Sequence, residues 1–281
     1  MLDLMEWHLQ VQLRSELPGN AQWAFKDFGT PLRPENPIPY VNQKGLVDRA
    51  ARPKDVYYLF QSYLASAPMC HIESPTWPLR AGPPDLPQRV RVYSNCPRVT
   101  LFVNGATAGE RRRDGTAFPA AGLVWHVCLR AGTNELRAVG IAADGSEVVD
   151  ALTQDYLIAA PGPPAMFHVW TRSETTPSGE QGMCVTVQLT DAARVPIVDD
   201  RRRVTFALDG DGGLCDRLGI TGGSRVIELA NGCASMIVIP PPDGIATLTV
   251  TADGITPIAV PVPSVALAVA EQEPLATMGE A

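Results

Sequence analysis

RVRVYSNCPRVTLFVNG, residues 89–105, decides how the chain is read. Val90 and Val92, then Val99, Leu101 and Val103, recur at every second position, the period of a strand with one face buried. Asn104-Gly105 closes the second run with a dipeptide favoured in tight hairpins. Similar runs follow in GLVWHVCL (122–129), NELRAVGIA (134–142) and SEVVDALTQDYLI (146–158), separated by Gly-, Asn- and Asp-rich turns. Strand upon strand with no intervening helix predicts an antiparallel β-sandwich over residues 66–160.

Further along, AAPGPP (159–164) reads as a linker. Beyond it MFHVWTRSE, MCVTVQLTD, RVTFALDG, SRVIELANG, CASMIVIP, ATLTVTADG and TPIAVPV predict a second, immunoglobulin-like sandwich over 163–265. The low-complexity end, 266–281, is expected to be a disordered tail. DGDGG (209–213) is expected to be a turn, because the later acidic positions of a calcium loop are missing.

The first 65 residues follow a different grammar. Leu4, Met5, His8, Leu9 and Leu13 recur at helical spacing. NAQWAFKDFG predicts a short strand and a turn, TPLRPENPIP an extended loop, and Arg52-Pro53-Lys54 opens a second helix with Tyr57, Tyr58, Phe60 and Leu64 on its apolar face. A helix, a lone strand and a helix leave the strand's backbone groups unpaired, so this stretch is not expected to fold by itself.

Bulk numbers remove several functions. The chain has 281 residues, with 23 basic against 30 acidic and a net charge of −7, so no basic surplus exists to neutralise phosphates and nucleic acid is not an expected partner. The runs Arg111-Arg112-Arg113 and Arg201-Arg202-Arg203 are read as solvated strand-edge charges. No stretch reaches the roughly 18 apolar residues of a membrane helix, and Asp3 and Glu6 stand where a signal peptide needs basic residues, so a cytoplasmic chain without a membrane partner is expected. The six cysteines form no C-x-x-C pair or Cys/His cluster; buried reduced thiols are expected, with no metal and no cofactor.

GNAQWAFKDFGTPLRPENPIPYVNQKGLVDRAARPKDVYYLFQSYL, residues 19–64, resembles the end of the catalytic barrel of family 2 glycoside hydrolases, with its strand Trp, Asn-x-Lys-Gly turn and RxPK helix start. Residues 90–114 with 122–140, and 201–214 with 224–239, resemble the sandwiches that follow that barrel. The resemblance implies a mainly β fold: two immunoglobulin-like sandwiches preceded, over 1–65, by the last βα unit of a (β/α)8 barrel. In this family both catalytic carboxylates lie on barrel units preceding the stretch matched here. Retaining hydrolysis needs two carboxylates about 5 Å apart, and the expectation is that no catalytic residue lies in this chain and that it is inactive alone.

Three residues are expected to contact sugar. Trp23, at the strand end, offers an indole face to sugar C–H groups. Asn42 and Lys44 share one turn, and the resemblance to β-glucuronidases implies that such a pair grips a substrate carboxylate. β-Galactosidase-type relatives show a similar turn, so either sugar class remains open. Asp27 either faces the pocket or fixes the Lys26/Arg33 loop, and Glu35 is open in the same way. Trp77, Trp125 and Trp170 are expected in sandwich cores, with a sugar platform as the other reading. The partner expected of the complete enzyme is a carbohydrate with a terminal β-linked sugar. Two further readings are a carbohydrate-binding or adhesion module, and a complementation subunit whose partner chain carries the rest of the barrel.

Overall fold

A computed structural model describes residues 2–14, 19, 21–32, 34–176, 179–215 and 224–264; the expected tail over 266–281 lies outside them. The fold is mainly β, as the alternating runs require. Two compact units appear, and they do not follow the expected three-way division: Met1–Phe28 groups with Asn42–Ala160, and Gly29–Val41 with the chain from Pro161 onward.

In the first unit, helices α1 (Leu2–Arg14) and α2 (Asp55–Leu64) precede strands β3 (Cys70–Ile72), β4 (Leu79–Gly82), β5 (Gln88–Ser94), β6 (Arg98–Val103), β7 (Ala106–Arg112), β8 (Val124–Val127), β9 (Gly132–Ile141) and β10 (Glu147–Ile158). The short strands β1 (Phe28–Gly29) and β2 (Val41–Asn42) pair with each other. One sheet runs β4-β10-β9-β6-β7 and the other β3-β5-β8, with Val92, Val99, Leu101, Leu123, Trp125 and Leu136 in the core between them. Asn104 and Gly105 both take positive φ, 51° and 80°, the twist a two-residue hairpin needs between β6 and β7. Trp125 is buried, and its indole N–H donates to the Gly109 carbonyl at 3.0 Å, meeting the need of a buried polar edge.

The two helices do not hang free. Leu9 of α1 and Leu59 of α2 are buried against Tyr93 of β5 and Ala120, so the α/β stretch and the first sandwich share a core. Charged groups fasten the joint. Glu6, fully buried, accepts from the Tyr63 hydroxyl at 2.7 Å and from the backbone N–H groups of Ala120 and Ala121. His71 on β3 stacks on Tyr58 with ring centroids 3.6 Å apart, and its Nε2 lies 3.0 Å from Asp55 of α2. Arg113 donates to the Ser62 and Ser94 carbonyls at 2.6 and 2.5 Å and covers the Tyr63 ring. It is therefore an anchor rather than one of three solvated charges.

The second unit holds β11 (Met166–Thr175), β12 (Gln181–Thr190), β13 (Arg203–Asp209), β14 (Gly213–Cys215), β15 (Val226–Glu228), β16 (Cys233–Ile239), β17 (Ile245–Ala252) and β18 (Ile255–Pro263). The sheets β11-β12-β16-β14 and β15-β13-β17-β18 enclose Val185, Val187, Phe206, Met236, Leu248 and Val250. DGDGG spans the link from β13 to β14, as a turn should. Glu35 pairs with Arg203 at 2.7 Å, and its carbonyl accepts the Glu228 N–H, which ties the Pro-rich loop to β15.

Three sequence expectations fail on exposure. Trp77 and Trp170 are surface residues, 37% and 41% exposed, while Trp125 is core as expected. Alternation explains Trp170, since Phe167 and Val169 take the inward positions of β11 and leave 168 and 170 outside. All six cysteines are free thiols, but Cys128 is exposed. Arg202 lies in a chelate with Asp200 at 2.7 Å rather than in bulk solvent.

Candidate functional site

Trp23–Asp27 and Lys44–Val47 run side by side in parallel. The Ala24 N–H donates to the Lys44 carbonyl at 3.4 Å, Leu46 N–H to Ala24 at 3.1 Å, Val47 N–H to Phe25 at 3.0 Å and Asp27 N–H to Val47 at 3.0 Å. Here are the partners that the lone strand lacked in the sequence. The chain comes so close at Gly45 that a Cβ there would lie 2.5 Å from the Lys26 carbonyl carbon and from the Val47 oxygen, so only glycine fits.

Asp27 settles its two readings. It is buried, and its carboxylate accepts the Gly45 N–H at 2.8 Å and the Lys54 ammonium at 2.7 Å. Lys54 also donates to the Gln43 carbonyl at 2.9 Å. Asp27 thus fixes a loop, but the loop is the Asn42–Gly45 turn and the cation is Lys54, not Lys26. The helix start called for an acid near Lys54 without saying which. Lys54 stands at the N-cap of α2, where the helix dipole disfavours a cation and Ser, Thr, Asp or Asn is preferred. A lysine there needs an acid close by.

With the backbone held from below, Gln43 and Lys44 are exposed. Asn42 is half-buried, and its Oδ1 accepts the Lys44 N–H at 3.1 Å in a local turn. Lys44 is exposed, and no ion pair holds its ammonium among the described residues. Trp23 is 70% exposed and packs edge-to-face on Phe28 at 5.9 Å; its peptide bond to Ala24 is cis. Trp23 and Lys44 thus lie at the start of the two parallel segments, and Asn42, at the end of β2, reaches Lys44 through its amide oxygen: an open indole, an amide and an unpaired cation. No group of three or more His, Cys, Asp or Glu side chains among the described residues is arranged to hold a metal ion.

The chain is 44% identical over 239 residues to a putative β-glucuronidase of Formosa agariphila, covering 85% of this chain and 28% of that protein. The crystal structure of Parabacteroides merdae β-glucuronidase superposes with a TM-score of 0.78 at 40% identity, over 94% of this chain and 32% of that one. The β-galactosidase BoGH2A of Bacteroides ovatus is 31% identical over 172 residues, 60% of this chain and 18% of its own. The chain matches the C-terminal portion of glycoside hydrolase family 2 enzymes. It spans about a third or less of the length of these family 2 relatives. Residues 86–149 also match the domain of unknown function DUF4982, which within this family 2 portion runs from just before β5 into β10.

Proposed function

We propose that the chain forms one wall of the sugar site of a retaining family 2 β-glycosidase and leaves the bond-breaking carboxylates to another part of that enzyme. Trp23 offers its ring to the C–H face of the terminal sugar, while Asn42 and Lys44 reach a polar substituent. Because Lys44 carries an unpaired charge beside an amide, the substituent it suits is a carboxylate, which makes a β-linked glucuronic acid the favoured sugar. The exposed, unpaired Lys44 next to Asn42 and Trp23 is the observation that carries this reading. Kinship with the β-glucuronidases of Formosa agariphila and Parabacteroides merdae, at higher identity than with the β-galactosidase, supports the same sugar.

Two experiments test it. Purified chain is expected to leave nitrophenyl β-glucuronide and β-galactoside unhydrolysed; turnover that co-elutes with the protein on gel filtration ends the claim that the acids lie elsewhere. Saturation-transfer NMR is expected to show glucuronate bound more strongly than galactose, with the preference lost in Lys44→Met. Equal signals, or a preference that survives the substitution, remove the carboxylate from the reading.

A further inference from the structure

β11 is an edge strand, and its outward row is not what a solvated face requires. Phe167 and Val169 face the core, so Met166, His168, Trp170 and Arg172 lie on the other side of the sheet. Trp170 stands opposite Thr186, and Thr186 opposite Ser235, whose two hydroxyls are 2.9 Å apart. One pair along, His168 faces Gln188, and the imidazole and indole centroids are 6.0 Å apart. On the opposite flank Arg172 holds Glu174 through two hydrogen bonds, 3.2 and 2.8 Å. Strand spacing of about 4.8 Å therefore sets one open indole within reach of hydroxyl, amide, imidazole and guanidinium groups.

That mixture selects its occupant. A protein partner needs a broad contact with several large side chains and a dry centre, whereas here one ring sits in a polar frame, with Met166 at the start of the strand the other exposed large apolar side chain of that row. A pyranose has the same make-up in reverse, with an apolar C–H face and a rim of hydroxyls about as wide as the strand spacing. We propose that the outer face around Trp170 binds a glycan chain, one pyranose stacking on the indole while Gln188, Ser235 and His168 meet the hydroxyls of that ring and the next and the buried Thr186 hydroxyl holds Ser235 in place. The inference stands on this surface; only the choice of β-linked polymers rests on the proposed glycosidase reading.

Native-gel affinity electrophoresis of the whole chain tests it, in gels containing β-1,4-galactan, hydroxyethyl cellulose or hyaluronan. At least one polymer is expected to retard the protein. Trp170→Ala is expected to weaken that affinity about tenfold or more, while Trp77→Ala, at an exposed tryptophan of the first unit, leaves it unchanged. Gln188→Ala, a milder change on the same face, is expected to give a smaller loss of roughly two- to fivefold with an unchanged melting curve. Unaltered mobility in all three gels overturns the proposal, as does retardation that survives both Trp170→Ala and Gln188→Ala. Neither result bears on glucuronate at Lys44, which is read separately by NMR with Lys44→Met.

Discussion

Asp27 and Lys54, 27 positions apart in the chain, meet at 2.7 Å beneath the turn that carries Asn42 and Lys44. The Asp27 side chain is 5% exposed and that of Lys54 30%, so the pair is shielded enough to matter but not sealed. Its work is mechanical, since Asp27 also holds the Gly45 N–H and Lys54 the Gln43 carbonyl. Removing one partner of a buried pair strands the other charge. Asp27→Asn is expected to cost about 2 kcal/mol in urea unfolding, below the full figure for a sealed pair because Lys54 still reaches water. The double variant with Lys54→Met is expected to recover part of that, a coupling of about 1 kcal/mol. Strictly additive losses would mean that the two groups do not act together.

Gly45 gives a sharper test of the same ladder. The atoms a Cβ would meet, at 2.5 Å on Lys26 and Val47, are backbone atoms, which cannot rotate away. Gly45→Ala is expected to lose about 3 kcal/mol or more by forcing the two segments apart. Gly115, with nothing within 4 Å of its would-be Cβ, is the control, and Gly115→Ala is expected to stay within about 0.5 kcal/mol of the parent. Thermal melts of both variants decide it.

Much of the β architecture was legible, and what was not has a physical cause. Asn104-Gly105 announced its hairpin because few other residues accept two successive positive φ values. β3 and β14 are three residues long, too short for a period to show, and β7 (ATAGERR) has an exposed, polar row with no apolar alternation to read. Of the proposed site, the sequence showed residue types and spacing: Lys44 does come to lie against Ala24, the neighbour of Trp23, and Asn42 against Lys44. Their supports were not legible, since nothing local links Asp27 to Lys54. Nor could composition reveal that α1 and α2 belong to the core of the first sandwich. Glu6, read from the sequence as an acid where a signal peptide needs basic residues, is fully buried because Ala120, Ala121 and Tyr63, all distant in sequence, supply its donors.

That burial changes what becomes of the N-terminal stretch. A free-hanging α/β segment would be trimmed by protease, whereas α1 and α2, anchored through Leu9, Leu59 and Glu6, are expected to be protected together with the strands of the first sandwich. Glu6→Ala leaves a hydroxyl and two backbone N–H groups without an acceptor in a dry site, at an expected cost of about 3 kcal/mol and with new cleavage within α1. Burial, and then the Glu6 carboxylate, push the Tyr63 hydroxyl well above its ordinary value. Its ultraviolet ionisation band is therefore expected to be missing at pH 11 in the folded protein. Early trimming of the parent chain at α1, with the sandwich left whole, would show the anchoring to be too weak to hold.

The thiols report on both units at once. Only Cys128 is exposed; Cys96, Cys184 and Cys215 are buried, and Cys70 and Cys233 are partly so. Burial, assisted by Asp150, pushes the Cys70 thiol up to about 12, and burial raises Cys184 and Cys233 as well. Since the thiolate is the nucleophile, Cys70 stays protonated and slow even at pH 9, and burial slows Cys184 and Cys233 in the same direction. A raised acid constant also fixes the sign of the pH dependence. What the neutral Cys70 contributes to stability is whole below the ordinary thiol value of about 8.5 and is lost as pH climbs from there through about 12. Iodoacetamide at pH 8 is therefore expected to add one adduct rapidly, mapped to Cys128 by mass spectrometry and absent in Cys128→Ser, with the other five following only on unfolding. A second fast adduct at Cys70 or Cys184 would mean that the sheet carrying it opens far more readily than its packing allows.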